Sequence, residues 1–270
     1  MSHIATFGPG ARGPEVEAQL KKHGFVLGHY PQSFELSTVG GWVATRSSGQ
    51  QSYRYGRIEQ LFAGGTLETF EGPLEIPTFP ASSAGPDIRE IVLGSEGRFG
   101  LISEVKVRVS PMADNEEFHV AFAPSWQASI RLARLAAQRR IPLSMLRLSN
   151  EIETETQLTM AGKPRAVTWL ERYLKLRGIK GPKSMVTFGL TGSKAQCKSA
   201  LSQLKSLFSE LGVIHLGTPL GKTWEHSRFR SPYLRQTLWD AGYAVDTLET
   251  AVDWAKLPAA VEAIEASLKE

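Results

Sequence analysis

The feature that most constrains the fold is a strand–helix–strand succession that occurs twice in the second half of the chain. "EFHVAFAP" (117–124) reads as a strand, "SWQASIRLARLAAQRR" (125–140) as an amphipathic helix with Ser125 at its N-cap, and "LSMLRLSN" (143–150) as a second strand. The succession returns as "SMVTFGLTG", "SKAQCKSALSQLKSLFSELG" and "VIHLGTPLG" over 184–221. Two βαβ units in one domain predict a split βαβ layout, an antiparallel sheet with helices on one face. "PRAVTWLERYLKLRG" predicts a helix between the units, together with weaker helical sequence. After them come a helix "SPYLRQTLWDAG", a strand-like "YAVDTLETAVDW" and a last helix "LPAAVEAIEASLKE".

The first half is built differently. Residues 1–112 are rich in glycine, proline and short apolar runs. "GPEVEAQLKKHG" predicts a short helix opened by Pro14 and closed by Gly24. "FVLGHYP" predicts a strand, and "RIEQLFAGGTLETFEG" two short strands about Gly64 and Gly65. "LEIPTFPASSAGPD" reads as loop. "DIREIVLGSEGRFGLISEVKVRVSP" holds a short helix, a glycine-rich turn and a strand with Val105, Val107 and Val109 on one face. The change of composition near Met112–Glu117 predicts two domains, 1–112 and 113–270, in an α+β protein.

Composition narrows the class. The chain has 270 residues, 41% of them hydrophobic and 21% charged, as expected of a globular protein rather than a disordered one. No apolar run reaches the ~18 residues of a transmembrane helix, and no signal peptide is apparent at the N-terminus. The single cysteine, Cys197, excludes an internal disulfide and fits a cytoplasmic location. The net charge of +4 suits an anionic ligand, but without basic–aromatic interleaving it does not point to nucleic acid. The histidines lack HxxH or HExxH spacing, so no metal site is expected, and there is no GxSxG.

Chemistry concentrates in two glycine-rich stretches, "STVGGWVATRSSG" (37–49) and "GSEGRFGLIS" (94–103). Loops of Gly, Ser and Thr can present backbone N–H groups to phosphate oxygens. They can equally be tight turns that need glycine for geometry alone. Neither matches the Rossmann GxGxxG or the P-loop pattern.

"GHYPQSFELSTVGGWVATRSSGQQSYRYGRIEQL" resembles the second FAD-contact segment of the vanillyl-alcohol-oxidase, or PCMH-type, flavoproteins. "AGPDIREIVLGSEGRFGLISEVKVRVSP" resembles the FAD segment that follows it in that family. Within the family the chain is most similar to the alkyl-dihydroxyacetonephosphate synthase branch, and the likeness runs on through "YLRQTLWDAGYAVDTLETAVDW". The resemblance implies a partial PCMH-type FAD-binding domain followed by an α+β cap domain, with FAD as cofactor. It implies that Gln32, Ser33, Phe34, Glu35, Leu36, Ser37 and Thr38, and Thr45, Arg46, Ser47 and Ser48, line the flavin and its pyrophosphate. Gly40 and Gly41 would let the backbone approach the cofactor. Glu96, Gly97, Arg98, Phe99, Gly100, Leu101 and Ile102 would lie along the adenosine half and the ring edge. Arg235 aligns with the arginine that holds the substrate's anionic group in the synthase branch, and Arg147 with another arginine important to activity there, so both are substrate-binding candidates. Read from the residues alone, Thr38 is also an ordinary turn residue, and Glu96 a cap or a partner of Arg98. Arg147 and Arg235 are also charged positions on a strand and a helix face.

Two family segments have no counterpart in the sequence: a glycine-rich pyrophosphate loop before "GHYP", and a C-terminal part that carries a tyrosine and a histidine cluster. The expectation is therefore a chain truncated at both ends, with weakened flavin affinity. Each lost charge-assisted hydrogen bond is worth roughly 1.5–3 kcal/mol. The implied function is an FAD-dependent oxidoreductase or an alkyl-transfer enzyme acting on a small anionic hydroxy or keto substrate. A non-catalytic remnant or partner-binding subunit is the alternative, and a homodimer or a complementing chain is left open. No catalytic residue is assigned.

Overall fold

The structure, a computed structural model, describes residues 2–162 and 164–268. It divides into two compact units, one ending at Ser231 and one beginning at Pro232.

The first unit opens with β1 (Ile4–Phe7), α1 (Gly13–Lys21) and β2 (Phe25–Val26). Three short helices follow: α2 (Val39–Ala44), α3 (Ser52–Tyr55) and α4 (Ile58–Leu61). Then come β3 (Phe62–Thr69), β4 (Gly72–Ile76), α5 (Ile88–Val92), β5 (Leu101–Arg108) and β6 (Ser110–Pro111). β1, β5, β3 and β4 form an antiparallel sheet in that order, and β2 pairs with β6. Val105, Val107 and Val109 are buried, with Val16, Leu27, Val39, Trp42, Ile58 and Phe62 in the same core.

Gly64 and Gly65 do not separate two strands. They lie inside β3, between Phe62 and Thr69. A Cβ on Gly64 would stand 2.4 Å from the Ile76 carbonyl oxygen, and one on Gly65 2.1 Å from that of Glu104. The glycines are therefore needed where β4 and β5 press on β3, and the hairpin turn falls later, at Phe70–Glu71. "FVLGHYP" keeps only the two-residue β2 as strand, because Gly28 turns left-handed (φ 75) beneath the Tyr55 ring.

The second sheet starts with β7 (Asn115–Ala123), α6 (Trp126–Gln138) and β8 (Met145–Ser149). Two helices, α7 (Glu151–Met160) and α8 (Pro164–Leu176), lead to β9 (Ser184–Gly192), α9 (Lys194–Leu211) and β10 (Ile214–His215). The order is β10-β7-β9-β8 with every pair antiparallel, the layout expected of two interleaved βαβ units. α6 and α9 cover one face through Leu132, Ala136, Ala200, Leu204 and Leu207, packed on Ala121, Val186, Phe188 and Leu190. Ser125 caps α6, accepting the Ala128 N–H at 3.2 Å.

The expectation of helices on one face alone is corrected. Leu174 of α8 packs with Val120, Phe122 and Met185 on the opposite face. α10 (Pro219–Ser227) also lies against β7: a Cβ on Gly221 would meet the Phe118 carbonyl oxygen. "VIHLGTPLG" accordingly holds only the short β10 and then enters α10 at Pro219.

α11 (Ser231–Asp240) begins at the boundary of the second unit, and α12 (Leu257–Ser267) lies within that unit. "YAVDTLETAVDW" between them forms no strand among the described residues. Lys269 and Glu270, at the end of the last expected helix, lie outside the described residues.

Candidate cofactor site

The stretch "STVGGWVATRSSG" is not an open loop. Val39–Ala44 forms α2, with Thr38 as its N-cap, and Thr38 Oγ1 accepts the Gly41 N–H at 3.3 Å. Ser37 is engaged on both sides: its hydroxyl accepts from Trp42 Nε1 at 2.7 Å and donates to the Ser33 carbonyl at 2.9 Å. Ser33 is half-buried, while Gln32, Glu35 and Leu36 are exposed. Phe34 is buried, its ring 4.9 Å from Phe229 and 5.2 Å from Tyr30.

The two adjacent glycines have different surroundings. A Cβ on Gly40 would lie 2.5 Å from Pro9 Cβ, so close packing within the protein requires that glycine. The Val39 and Gly40 amides are also occupied, donating to the Ala11 and Pro9 carbonyls at 2.9 Å. Gly41 is exposed, and a Cβ there would meet only Thr38 Oγ1, at 3.2 Å. Inside a helix, alanine would be favoured over glycine by about 1 kcal/mol. A Cβ at 41 would need only the Thr38 hydroxyl to give by a few tenths of an ångström, and the surface around this exposed glycine is otherwise open to close approach.

After α2 the chain turns sharply. Thr45 Oγ1 donates to the Gly41 carbonyl at 2.9 Å. Arg46 adopts φ 52, a left-handed conformation uncommon outside glycine, and pairs with Glu90 at 2.7 Å. Ser47 Oγ lies 2.7 Å from His29 Nε2. Ser48 is exposed.

The second stretch is bonded to this turn. The Gly94 N–H donates to the Val43 carbonyl at 3.0 Å, and the Glu96 N–H to the Ala44 carbonyl at 3.0 Å. Glu96 is itself left-handed (φ 50) and exposed. Gly97 (φ 80) and Arg98 are exposed, as are Phe99 and Leu101. Gly100 packs on the Glu68 carbonyl, and half-buried Ile102 pairs with Leu67 in the sheet. Two non-glycine residues held left-handed on bonded neighbouring turns mark a place where the fold imposes local strain, as ligand clamps do.

A polar seam between the two sheets carries no signal in the sequence. Gln51 Nε2 donates to Glu116 Oε2 at 3.0 Å, and Gln50 Nε2 to the Arg228 carbonyl at 3.2 Å. The Arg228 guanidinium lies 4.8 Å from the Phe229 ring and 4.9 Å from Tyr30. Gln50 Oε1, Gln51 Oε1 and Arg228 Nη1 are buried there with no partner among the described residues. Beside it Glu17 accepts the Gly28 N–H at 2.9 Å, and burial pushes its carboxyl up to about 6. His29 is buried against Trp42, and burial lowers its imidazole to about 4. No local spacing signals these contacts, because the partners come from distant parts of the chain.

The two substrate-binding candidates fall in different units. Arg147 is exposed on β8 and paired with Glu153 of α7. Arg235 is exposed on α11, in the second unit.

The architecture defines a class: an antiparallel sheet whose glycine-rich turns are clamped together, followed by a split βαβ sheet, as in FAD-dependent oxidoreductases. The family described as FAD linked oxidases, C-terminal domain, matches residues 113–270, and the FAD binding domain family matches residues 1–73. The chain belongs to the FAD-linked oxidases.

Among its relatives is the alkyldihydroxyacetonephosphate synthase of Dictyostelium discoideum, 33% identical over 92% of this chain and 42% of that protein. The synthase of Trypanosoma brucei brucei is 31% identical over 93% of this chain and 42% of its own length. A solved alkyldihydroxyacetonephosphate synthase structure superposes with a TM-score of 0.82 at 33% identity, covering 96% of this chain and 48% of that one. The chain thus spans under half the length of these relatives. FAD is the cofactor of the family, and exposed Gly41 beside the clamped turns fits it. No described helix is long and apolar enough to cross a membrane.

Proposed function

We propose that this chain is the FAD-contacting part of a flavoenzyme of the alkyldihydroxyacetonephosphate synthase type, acting on a small anionic hydroxy or keto compound. The observation that carries the reading is the pair of hydrogen bonds from Gly94 and Glu96 to Val43 and Ala44, which makes one surface of the two stretches. On that surface Gly41 admits close approach, and Thr45 and Ser48 offer hydroxyls. The Ser48 and Gly97 amides donate to no protein group among the described residues and are available to phosphate oxygens. Leu36, Phe99 and Leu101 are the exposed apolar side chains that would lie against the rings. FAD, when bound, supplies the two-electron chemistry, and the protein supplies position and electrostatics.

Residues 1–112 form the cofactor part in this reading and 113–270 the cap. Arg147 and Arg235 hold the anionic group of the substrate, a role suited to the planar guanidinium fork. The single cysteine, buried in α9, suits a cytoplasmic protein.

The non-catalytic reading has one observation in its favour: the Val39 and Gly40 amides are already taken by the chain's own Ala11 and Pro9 carbonyls. FAD titration of the purified protein, followed by quenching of flavin fluorescence and by the visible spectrum, separates the two. Saturable binding with a perturbed flavin band supports the cofactor reading. No binding at a FAD concentration on the order of 100 μM, a free energy of about −5.5 kcal/mol, would support the non-catalytic one.

A further inference from the structure

A second site lies away from the glycine-rich turns. A cavity of about 340 Å³ opens between α3 and the end of α6, lined by Tyr53, Arg54, Ala137, Arg140, Ile141, Pro142 and Leu143. That volume lies within the range of small-molecule pockets. Its lining is of mixed polarity: Ile141 and Leu143 are buried beneath it, Pro142 is exposed, and its rim carries two guanidinium groups and a phenol. No acidic side chain lines it.

Neither rim arginine has a carboxylate partner among the described residues. Arg54 donates to the Thr191 carbonyl and lies 5.4 Å from the Tyr55 ring, but it forms no ion pair among the described residues, and neither does Arg140. The contrast with the adjacent residue is direct: Arg139 is paired with Glu210, which also takes Arg131.

The backbone adds an independent observation. Arg140 sits just past α6 with φ 50, the left-handed position where helices commonly place glycine. The Arg140 and Ile141 amides donate to the Ala137 and Ala136 carbonyls at 3.0 Å, which fixes this conformation. A residue with a long cationic side chain is strained where glycine would be free of strain, an indication that the side chain itself is used. The C-terminal end of a helix disfavours anions. Here the Leu135, Ala136 and Ala137 carbonyls are capped by following amides, and the two guanidinium charges outweigh the fractional charge of the helix end.

We propose that this cavity binds an amphiphilic anion: a carboxylate or phosphate head held by Arg140 and Arg54, with an apolar body over Ile141, Pro142 and Leu143. Tyr53 and Arg54 fall in the stretch that resembles the second FAD-contact segment, but none of the lining residues is among those assigned to the cofactor, so a failure of FAD binding and a failure of this site are read separately.

The test uses the whole chain with methyl groups labelled, titrated separately with octanoate, octyl phosphate, octanol and inorganic phosphate. The expected result is saturable shifts of the Ile141 and Leu143 methyls with octanoate or octyl phosphate. Preference between these two identifies the source as a fatty-acid-type carboxylate or a phosphate monoester. Octanol and inorganic phosphate should bind at least about tenfold more weakly.

Arg140→Gly should weaken the anionic amphiphile by about tenfold or more while leaving the melting temperature unchanged or raised, since glycine relieves the backbone. Arg140→Lys should retain part of the affinity. Absence of methyl shifts with either amphiphilic anion overturns the proposal. So does octanol or inorganic phosphate binding as tightly as those anions, or equal affinity in Arg140→Gly.

Discussion

The Glu96 amide donates to the Ala44 carbonyl at 3.0 Å, and through that bond one left-handed residue is fastened beside another, Arg46. Both keep a side chain where the backbone would be easier with none. Non-glycine residues in this region carry a penalty of about 1–2 kcal/mol. Glu96→Gly should therefore raise the stability of the cofactor-free protein by about 1 kcal/mol in urea unfolding and lower its affinity for FAD. A stability loss with unchanged FAD binding would show that the Glu96 side chain serves the fold alone.

The two glycines of α2 should separate in their effects. Gly40→Ala places a methyl 2.5 Å from Pro9 Cβ and 3.0 Å from the Pro9 carbonyl oxygen, and should destabilise the protein by about 1–3 kcal/mol. Gly41→Ala meets only the Thr38 hydroxyl and gains helix propensity, so stability should change by about 1 kcal/mol or less. It should nonetheless reduce FAD affinity, which titration of the two purified variants would reveal.

Acid should unfold the protein through its histidines. Burial lowers His29 and His215 from 6.5 to about 4 in the folded state, so the unfolded chain binds more protons between those values. Stability is then fully present above about pH 6.5 and falls as the pH drops towards 4. For His29, which is wholly buried, the loss is on the order of 3 kcal/mol. Chemical denaturation at closely spaced pH values should give a positive slope of stability against pH across this window.

Glu17 runs with the opposite sign. Its carboxyl is raised from 4.5 to about 6, so its contribution is present below pH 4.5 and lost as the pH rises through 6. Glu17→Gln keeps an oxygen for the Gly28 N–H and cannot ionise. Relative to the parent it should gain on the order of 2 kcal/mol between pH 4.5 and pH 8. A constant difference between the two proteins across that range would contradict the assignment.

Arg147→Ala and Arg235→Ala test the substrate reading. Arg147 is exposed and its Glu153 partner is also solvated, so stability should change by under about 1 kcal/mol. Both variants should weaken binding of a small keto phosphate or hydroxy acid while leaving FAD uptake intact. Calorimetric titration with such a ligand provides the comparison, and parallel loss of FAD would show the arginines to be structural.

What was legible in the sequence follows the range of the forces involved. The succession β7-α6-β8 and β9-α9-β10 could be read because each element carries its own periodicity: Leu132 and Ala136 share one helix face, and Val186, Phe188 and Leu190 one strand face. Ser125 could be read as a cap because the amide it accepts lies three residues on. The two glycine-rich stretches could be singled out by residue type, and their likeness to FAD segments named the cofactor.

Only the tertiary structure showed that "VGGWVA" is a helix, that Gly40 answers to Pro9, and that Gly64 and Gly65 lie within a strand crowded by its neighbours. It alone placed Glu96 on Ala44 and left Arg140 without a carboxylate partner among the described residues. Local patterning acts over a few residues and is written in their order. Contacts between distant segments depend on where packing brings them, and a glycine required by another strand's backbone looks in sequence the same as one required by a turn.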